Sequence, residues 1–212
     1  MNWLMRLLRR YVGLHVLRVL VMPLDGLPPV KAQHPGLRYV PLPESEALAW
    51  CDHPDLEMAR EEVAAAYARG DLIVGVTERG EPVGYVWFAF GAAPHTNGVW
   101  LQVAPDTRYS YRAFIRPSHR GRRIAQELYT RASEICPRRG RTKGLIVIYA
   151  DNAVSLRASI SAGRVPVGYA GYLAWRGRIL PFRSPGAIKH GLQLVSPGRL
   201  PAVAIAQPMK AP

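Results

Sequence analysis

The sequence predicts an α/β (α+β) domain with a mixed central sheet flanked by helices. Three observations lead there. In "DLIVGVTERGEPVGYVWFAFG" two apolar, β-rich runs surround the turn Glu78-Arg79-Gly80-Glu81, which is the pattern of a hairpin. A strand, a helix and a second strand follow one another over 107–150, so those strands should be parallel neighbours joined by a right-handed crossover. The full order reads strand, two helices, three or four mainly antiparallel strands, helix, strand, helix, strand.

The first residues, "MNWLMRLLRRYV", fit a basic amphipathic helix, and 14–22 are strand-like. Arginines 6, 9, 10 and 18 interrupt every apolar run there, so neither an export signal nor a membrane span is expected. Docking of residues 1–12 onto the domain is the preferred reading, and peripheral contact with a membrane surface is the alternative. A cytoplasmic location follows as an expectation. Prolines 23, 28, 29 and 35 mark a linker, so residues 1–36 are set apart as an N-terminal extension. The domain proper is expected over 37–183, with a Pro-rich tail over 184–212.

Within the domain, "LRYVPL" (37–42) is a short strand, "PESEALAW" a short helix with acidic residues in its first turn, and "DLEMAREEVAAAYARG" a helix ended by Gly70. "VGYVWFAF" is apolar on both alternating faces and should be covered on both sides. "NGVWLQV" and "TRYSYRAFI" are either two strands or one interrupted strand. Ile124, Leu128, Ala132 and Ile135 share one helical face, "GLIVIYA" is a buried strand, and Asp151 or Asn152 can cap "AVSLRASISA". "VPVGYAGYLAWRGRIL" holds one or two last strands.

The chain has 212 residues, with 28 Lys and Arg against 15 Asp and Glu, a formal charge of +13. Such a balance favours an anionic partner: a phosphorylated cofactor, nucleic acid or an acidic membrane. Cys51 and Cys136 make neither a disulfide framework nor a zinc pattern, and no metal is expected. The arginines concentrate in "FIRPSHRGRRIAQEL", where Arg116, Arg120, Arg122 and Arg123 precede a helix whose N-terminus is itself electropositive. A loop entering a helix offers several free N–H groups to an anion, and added arginines make sense if something negative completes the site. A second basic stretch, "PRRGRTKG", lies at the far end of the same helix and reads as a solvated turn.

This stretch resembles the acyl-CoA-binding signature of GNAT-type N-acetyltransferases, with Arg120 on its first position and Ala125 on its last. "IYADNAVSLRASISAG" resembles the family's second segment, with Asn152 and Ser155 on its marks. The resemblance covers roughly residues 37–176. It implies a GNAT-like fold in which a parallel strand pair splays apart at the cofactor site, with acetyl-CoA or another acyl-CoA as co-substrate. Backbone groups of Phe114, Ile115 and Arg116 would hold the pantetheine and polarise the thioester carbonyl. Residues Arg120, Gly121, Arg122, Arg123, Ile124 and Ala125 would bind the CoA phosphates. A small-molecule or protein amine would attack directly.

Two departures stand out. Arg123 replaces the signature's middle glycine, which arginine could satisfy if the position needs only helical dihedrals. Ser159 stands where many members place a tyrosine that protonates the leaving thiolate. The catalytic candidates are Ser159, Tyr109 and Tyr111, with Asp106, Tyr149, Tyr169 and Tyr172 on or near the same strands. Two other readings compete with an N-acyltransferase. One is a GNAT-fold acyl-CoA-binding protein without catalysis. The other is a basic nucleic-acid-binding module, disfavoured because no reader motif is present and the aromatics sit in apolar runs.

Overall fold

A computed structural model describes residues 2–25, 34–96, 98–176 and 178–195. The expected linker thus falls largely outside the described residues, as does the tail beyond 195. The chain opens with α1 (Asn2–Leu7), a π-helical turn (Leu8–Val12) and β1 (Leu14–Pro23). Then come β2 (Leu37–Leu42), α2 (Glu44–Trp50), α3 (Arg60–Ala68), β3 (Leu72–Glu78) and β4 (Glu81–Ala89). The short β5 (Ala92–Pro94) and β6 (Trp100–Gln102) precede β7 (Thr107–Ile115), α4 (Ile124–Ile135), β8 (Lys143–Tyr149) and α5 (Ala153–Ser161). The described chain closes with β9 (Val165–Trp175), β10 (Arg178–Arg183), α6 (Pro185–Lys189) and β11 (Gln193–Val195).

Eight strands form one mixed sheet in the order β10-β9-β1-β8-β7-β4-β3-β2, and β11-β6-β5 form a small second sheet. The hairpin β3–β4 turns through Arg79 and Gly80, both at positive φ, the geometry that matches the twist of paired strands. β7 and β8 are parallel neighbours, joined through α4. "NGVWLQV" and "TRYSYRAFI" are separate strands in different sheets, because β6 pairs with β5 and β11 instead of joining the large one.

Two apolar layers sandwich the large sheet. On one face Trp87, Tyr85 and Tyr109 pack with Ala47 and Trp50 of α2 and Val63 and Ala66 of α3. On the other, Val86, Phe88, Ile146 and Ile148 pack against Ile124, Leu128, Tyr129 and Ala132 of α4. β4 is therefore covered on both sides, and every residue in it except Glu81 is buried.

The segment set apart in sequence as an extension contributes a central strand. β1 runs antiparallel to β8 on one side and to β9 on the other, with Leu17 opposite both Tyr149 and Ala170. Its Val- and Leu-rich run, interrupted by His15 and Arg18 on opposite faces, does not reveal where in the sheet it lies. Only the long-range partners place it inside. Ahead of it, α1 and the π-helical turn dock through Asp151, which pairs with Arg6 and Arg9 at 3.6 and 3.3 Å. Among the described residues no helix is long and apolar enough to cross a membrane.

Leu17 is fully buried while Leu4 of α1 is 43% exposed. Leu17→Ala should lower the unfolding free energy by about 2–5 kcal/mol, the range for a buried Leu-to-Ala cavity, and Leu4→Ala should change it by less than about 0.5 kcal/mol. Urea denaturation of the two variants checks whether β1 belongs to the cooperative core.

Candidate functional site

β7 and β8 pair only from Thr107 opposite Lys143 to Ser110 opposite Ile146. Beyond that point both strands continue, unpaired to each other. The cause is visible in the ladder between β4 and β7. Trp87 faces Tyr111 and Tyr85 faces Phe114, so Arg112 and Ala113 together oppose Val86 alone. Arg112 takes a left-handed φ of 48°, the mark of a bulge that bends and twists its strand. β7 thus leans toward β4 and away from β8.

A cavity of about 710 Å³ fills the opening. Trp87, Trp100, Tyr109 and Tyr111 line it on the side of α2 and α3. Tyr129, Ile148, Tyr149, Asn152 and Ser155 line its other end, toward α4 and α5. Glu61, Glu62 and Arg69 stand at the aromatic end, where Glu62 pairs with Arg112 at 2.5 Å.

Past β7 the chain makes the short turn Pro117–His119 and enters α4. Arg120, Gly121, Arg122 and Arg123 are all exposed. Among the described residues, no protein acceptor takes the N–H groups of Gly121, Arg122, Arg123, Ile124 or Ala125. Gly121 sits at φ +80°, with nothing within 4 Å of where a Cβ would stand. The result is a cluster of outward donors at a helix start, suited to an anion.

Arg123 departs from expectation in conformation. It is the N-cap of α4 at φ 60° and ψ 15°, which is left-handed and not helical. The position therefore makes the demand that favours glycine, and arginine meets it at a steric cost.

The four arginines have different fates. Arg116 pairs with Asp55 at 2.7 Å and donates to the Pro82 carbonyl. Arg122 pairs with Glu78 at 2.8 Å, which His119 also approaches. Arg120 donates from Nε to the Ile115 carbonyl and lies over the Phe114 ring. Arg123 makes no side-chain hydrogen bond or ion pair among the described residues. The backbone N–H of Arg116 donates to Val83 at 2.9 Å, so it is spent inside the sheet with β4. Alternation along an antiparallel ladder then turns the N–H of Ile115, one residue earlier, toward the opening.

Tyr109 and Tyr111 are buried in the cavity wall, their rings stacked at 5.6 Å, and burial pushes both phenols far up. Tyr111 donates to Asp71 Oδ2 at 2.6 Å, and Arg69 holds the same oxygen at 2.8 Å. Burial pushes the Asp71 carboxyl up to about 6, against the opposing pull of Arg69 and Tyr111. Asn152 is the N-cap of α5, accepting from Ser155 N–H at 3.1 Å. Ser159 is fully buried, and its hydroxyl makes no hydrogen bond of ordinary geometry.

Of the remaining candidates, Asp106 pairs with Lys143 at 2.7 Å, and Tyr169 lies exposed under Arg18. Tyr149 lines the cavity and bonds Thr96 Oγ1 at 2.9 Å. Tyr172 bonds the same hydroxyl at 2.8 Å and stacks on His15. His95, beside them in the cavity wall, is pushed by burial down to about 4 and stays neutral.

Several lining residues carry no local signal in the sequence: Glu61, Glu62, Trp100, His95, Thr96 and Tyr129. They come from α3, a loop, β6 and α4, and only the packing gathers them. Arg69 and Asp71 do flank the helix-ending Gly70, a charged pair whose burial the local pattern does not reveal.

Residues 41–159 match the model of the acetyltransferase (GNAT) family. Among solved structures, the chain is similar to a GCN5-related N-acetyltransferase from Sphaerobacter thermophilus. Identity is 16%, the TM-score is 0.52, and the match covers 80% of this chain and 54% of that one. It is similar also to a GCN5-related N-acetyltransferase from Kribbella flavida, at 14% identity and a TM-score of 0.47, over 81% of this chain and 58% of that one. The yncA protein of Salmonella typhimurium, solved with its cofactor acetyl-CoA, matches at 15% identity and a TM-score of 0.45, over 76% of this chain and 94% of that one. The chain spans only 52–60% of the length of the first structures it matches. No curated protein matches the sequence.

Two stability measurements follow from this geometry. Folded Asp71 holds its proton up to about pH 6, whereas an unfolded aspartate loses it near ~3.9. Between those values the native state binds more protons, so the contribution of this group falls as pH rises and is flat above about 6. Compared with Asp71→Asn in urea melts at several pH values, the wild type should lose on the order of 2 kcal/mol more across that window. Arg123→Gly should raise stability by about 1 kcal/mol, because glycine takes the left-handed cap without strain; thermal melting reads it directly.

Proposed function

The chain belongs to the GNAT acetyltransferase family, and on that premise we propose that it transfers an acyl group from an acyl-CoA to an amine acceptor. One observation carries the reading: the unpaired ends of β7 and β8 enclose a cavity beside the free N–H groups at the start of α4. A long ligand with a phosphorylated end and a slender reactive arm fits that combination.

The residues suit such a co-substrate. The N–H groups of Gly121 to Ala125, with the guanidinium of Arg123, would hold the pyrophosphate. The open space at Gly121 lets phosphate oxygens approach the backbone. The N–H of Ile115 faces the slot where the pantetheine would lie, between β7 and the cavity wall made by Asn152 and Ser155. The bound thioester supplies an activated acyl carbon at the centre of the cavity.

The chain's own groups orient the acceptor. Glu61 and Glu62 stand at the aromatic end of the cavity, where carboxylates attract a cationic amine. Trp87, Trp100 and the buried tyrosines exclude water around the reacting atoms, which strengthens every polar contact there. N–H donors aimed at a developing oxyanion are a large catalytic term, and the splayed edge of β7 supplies them. Ser159 is fully buried and outside the cavity lining, which gives a proton-donor role at that position less support.

The nucleic-acid reading has less support. Arg60, Arg112, Arg116 and Arg122, around the opening, are each engaged with a carboxylate and so are not free for a polyanion there.

Titration of acetyl-CoA in a thermal-shift assay tests the binding step. At 100-fold excess over Kd the ligand should add about 2.7 kcal/mol of stability. Arg123→Ala should weaken binding by about 10- to 150-fold, as for a charged hydrogen bond to phosphate. An absence of any shift at millimolar ligand would refute the proposal, and mass analysis of a primary-amine panel then identifies the acceptor class.

A further inference from the structure

The large sheet is covered unevenly. Along β9, Ala170 and Tyr172 face the layer that holds α2, α3 and α6, and both are fully buried. The alternate residues point the other way, and there Tyr169 and Trp175 are 42% and 54% exposed. Residues directly opposite in an antiparallel ladder share a face, so Arg18 of β1 joins Tyr169, and Arg178 and Leu180 of β10 join Trp175 and Leu173. Phe182, also exposed, lies opposite Gly171 on that side. The apolar layer beneath α4 reaches Leu20 of β1 and includes no residue of β9 or β10. Among the described residues, this part of the sheet face is therefore uncovered. Tyr11 and Val12, both exposed, come level with Trp175 where the Gly13 carbonyl accepts from the Ala174 N–H.

An apolar strand face without a covering layer marks an interaction surface, and its charge says with what. All 15 Asp and Glu lie within residues 25–151. The stretches 1–24 and 152–212, which supply the whole of β1, β9 and β10, therefore hold basic charges and no acidic ones. Arg18 lies over the Tyr169 ring at 4.5 Å and Arg176 over the Trp175 ring at 5.7 Å. Asp151, the acid next to the second stretch, is buried and engaged by Arg6 and Arg9. A second copy set face to face would oppose arginine with arginine. Strand pairing along the β10 edge is blunted by Pro181, which has no N–H, between the exposed Arg178 and Arg183. A nucleic acid would take the arginines but leave the aliphatic Leu180 and Val12 without a partner. An anionic bilayer accepts all of them: aliphatic groups and Phe at the acyl boundary, Trp and Tyr at headgroup level, arginines on the lipid phosphates.

We propose that the face of β1, β9 and β10 centred on Trp175 and Leu180 seats the protein on an anionic lipid bilayer. Its arginines supply the long-range attraction, and Trp175, Leu180 and Phe182 supply the apolar burial. This docking needs neither an acyl-CoA nor an amine, so it stands apart from the acyl-transfer function proposed above.

Sedimentation of the full chain with lipid vesicles tests the docking. The protein should pellet with vesicles of equal parts phosphatidylserine and phosphatidylcholine, much less with phosphatidylcholine alone, and less as salt rises. Arg178→Gln should weaken partitioning about 5-fold, as for one basic charge lost at an anionic surface. Arg38→Gln, exposed on β2 at the opposite edge of the sheet, should leave it unchanged. Trp175→Ser and Leu180→Ser should each weaken it about 10-fold. Their melting temperatures should match the wild type, because both side chains are more than half exposed. No pelleting with the phosphatidylserine vesicles at low salt would overturn the proposal. Equal losses from Arg38→Gln and Arg178→Gln would do the same, as the mark of unspecific charge attraction. Two other results also overturn it: a dimer that dissociates on Leu180→Ser, which assigns the face to a second copy, and a low-salt DNA shift abolished by Arg178→Gln without vesicle binding, which assigns it to nucleic acid.

Discussion

The separation of β7 from β8 after Ser110 and Ile146 is the constraint on which the rest of the structure depends. Opening a sheet strips backbone groups of their partners, which is tolerated only where something else satisfies or covers them. Here the bulge at Arg112 keeps β7 paired with β4 through Ile115 while it leaves β8. Gly84 makes this closeness feasible, since a Cβ there would lie 2.4 Å from the Phe114 carbonyl oxygen. Aromatic rings from both strands then wall the gap, so the opening becomes a cavity and not a collapsed core.

Arginine has two separate uses in this chain. Exposed and half-buried ones pair with carboxylates across elements and fix loops near the opening, as Arg122 does with Glu78 and Arg116 with Asp55. Buried ones work as large polar struts: Arg108 reaches the carbonyls that end α4 while lying over Phe88. A guanidinium manages this because it stays charged, stacks on rings and offers several donors in one plane. The formal charge of +13 already counts every carboxylate, so this pairing redistributes the basic surface without reducing it. At the start of α4, what remains for a ligand is Arg123 with the free N–H groups beside it.

β1 holds the two halves of the site together. It bridges β8, which forms one wall of the cavity, to β9, whose Tyr172 joins the polar group around Thr96. Arg9 of the preceding turn lies over the Tyr149 ring at 4.5 Å, and Asp151 anchors it. The first residues of the chain thus support the wall that carries Tyr149 and the α5 entrance.

The sequence by itself determined what is local. The β3–β4 hairpin, the strand–helix–strand unit around α4, the Asn152 cap and the signature from Arg120 to Ala125 were all legible, because periodicity, turn residues and caps act over a few positions. The tertiary structure alone decided three other things. It put β1 in the middle of the sheet, when its residues pattern as a separate extension. It set Arg123 left-handed at the N-cap of α4, where the sequence pattern allowed a helical position. It gathered Glu62 of α3, Trp100 of β6 and Tyr149 of β8 around one cavity. Each of these depends on contacts between distant segments, and packing energy between such segments leaves no periodic trace in either one alone.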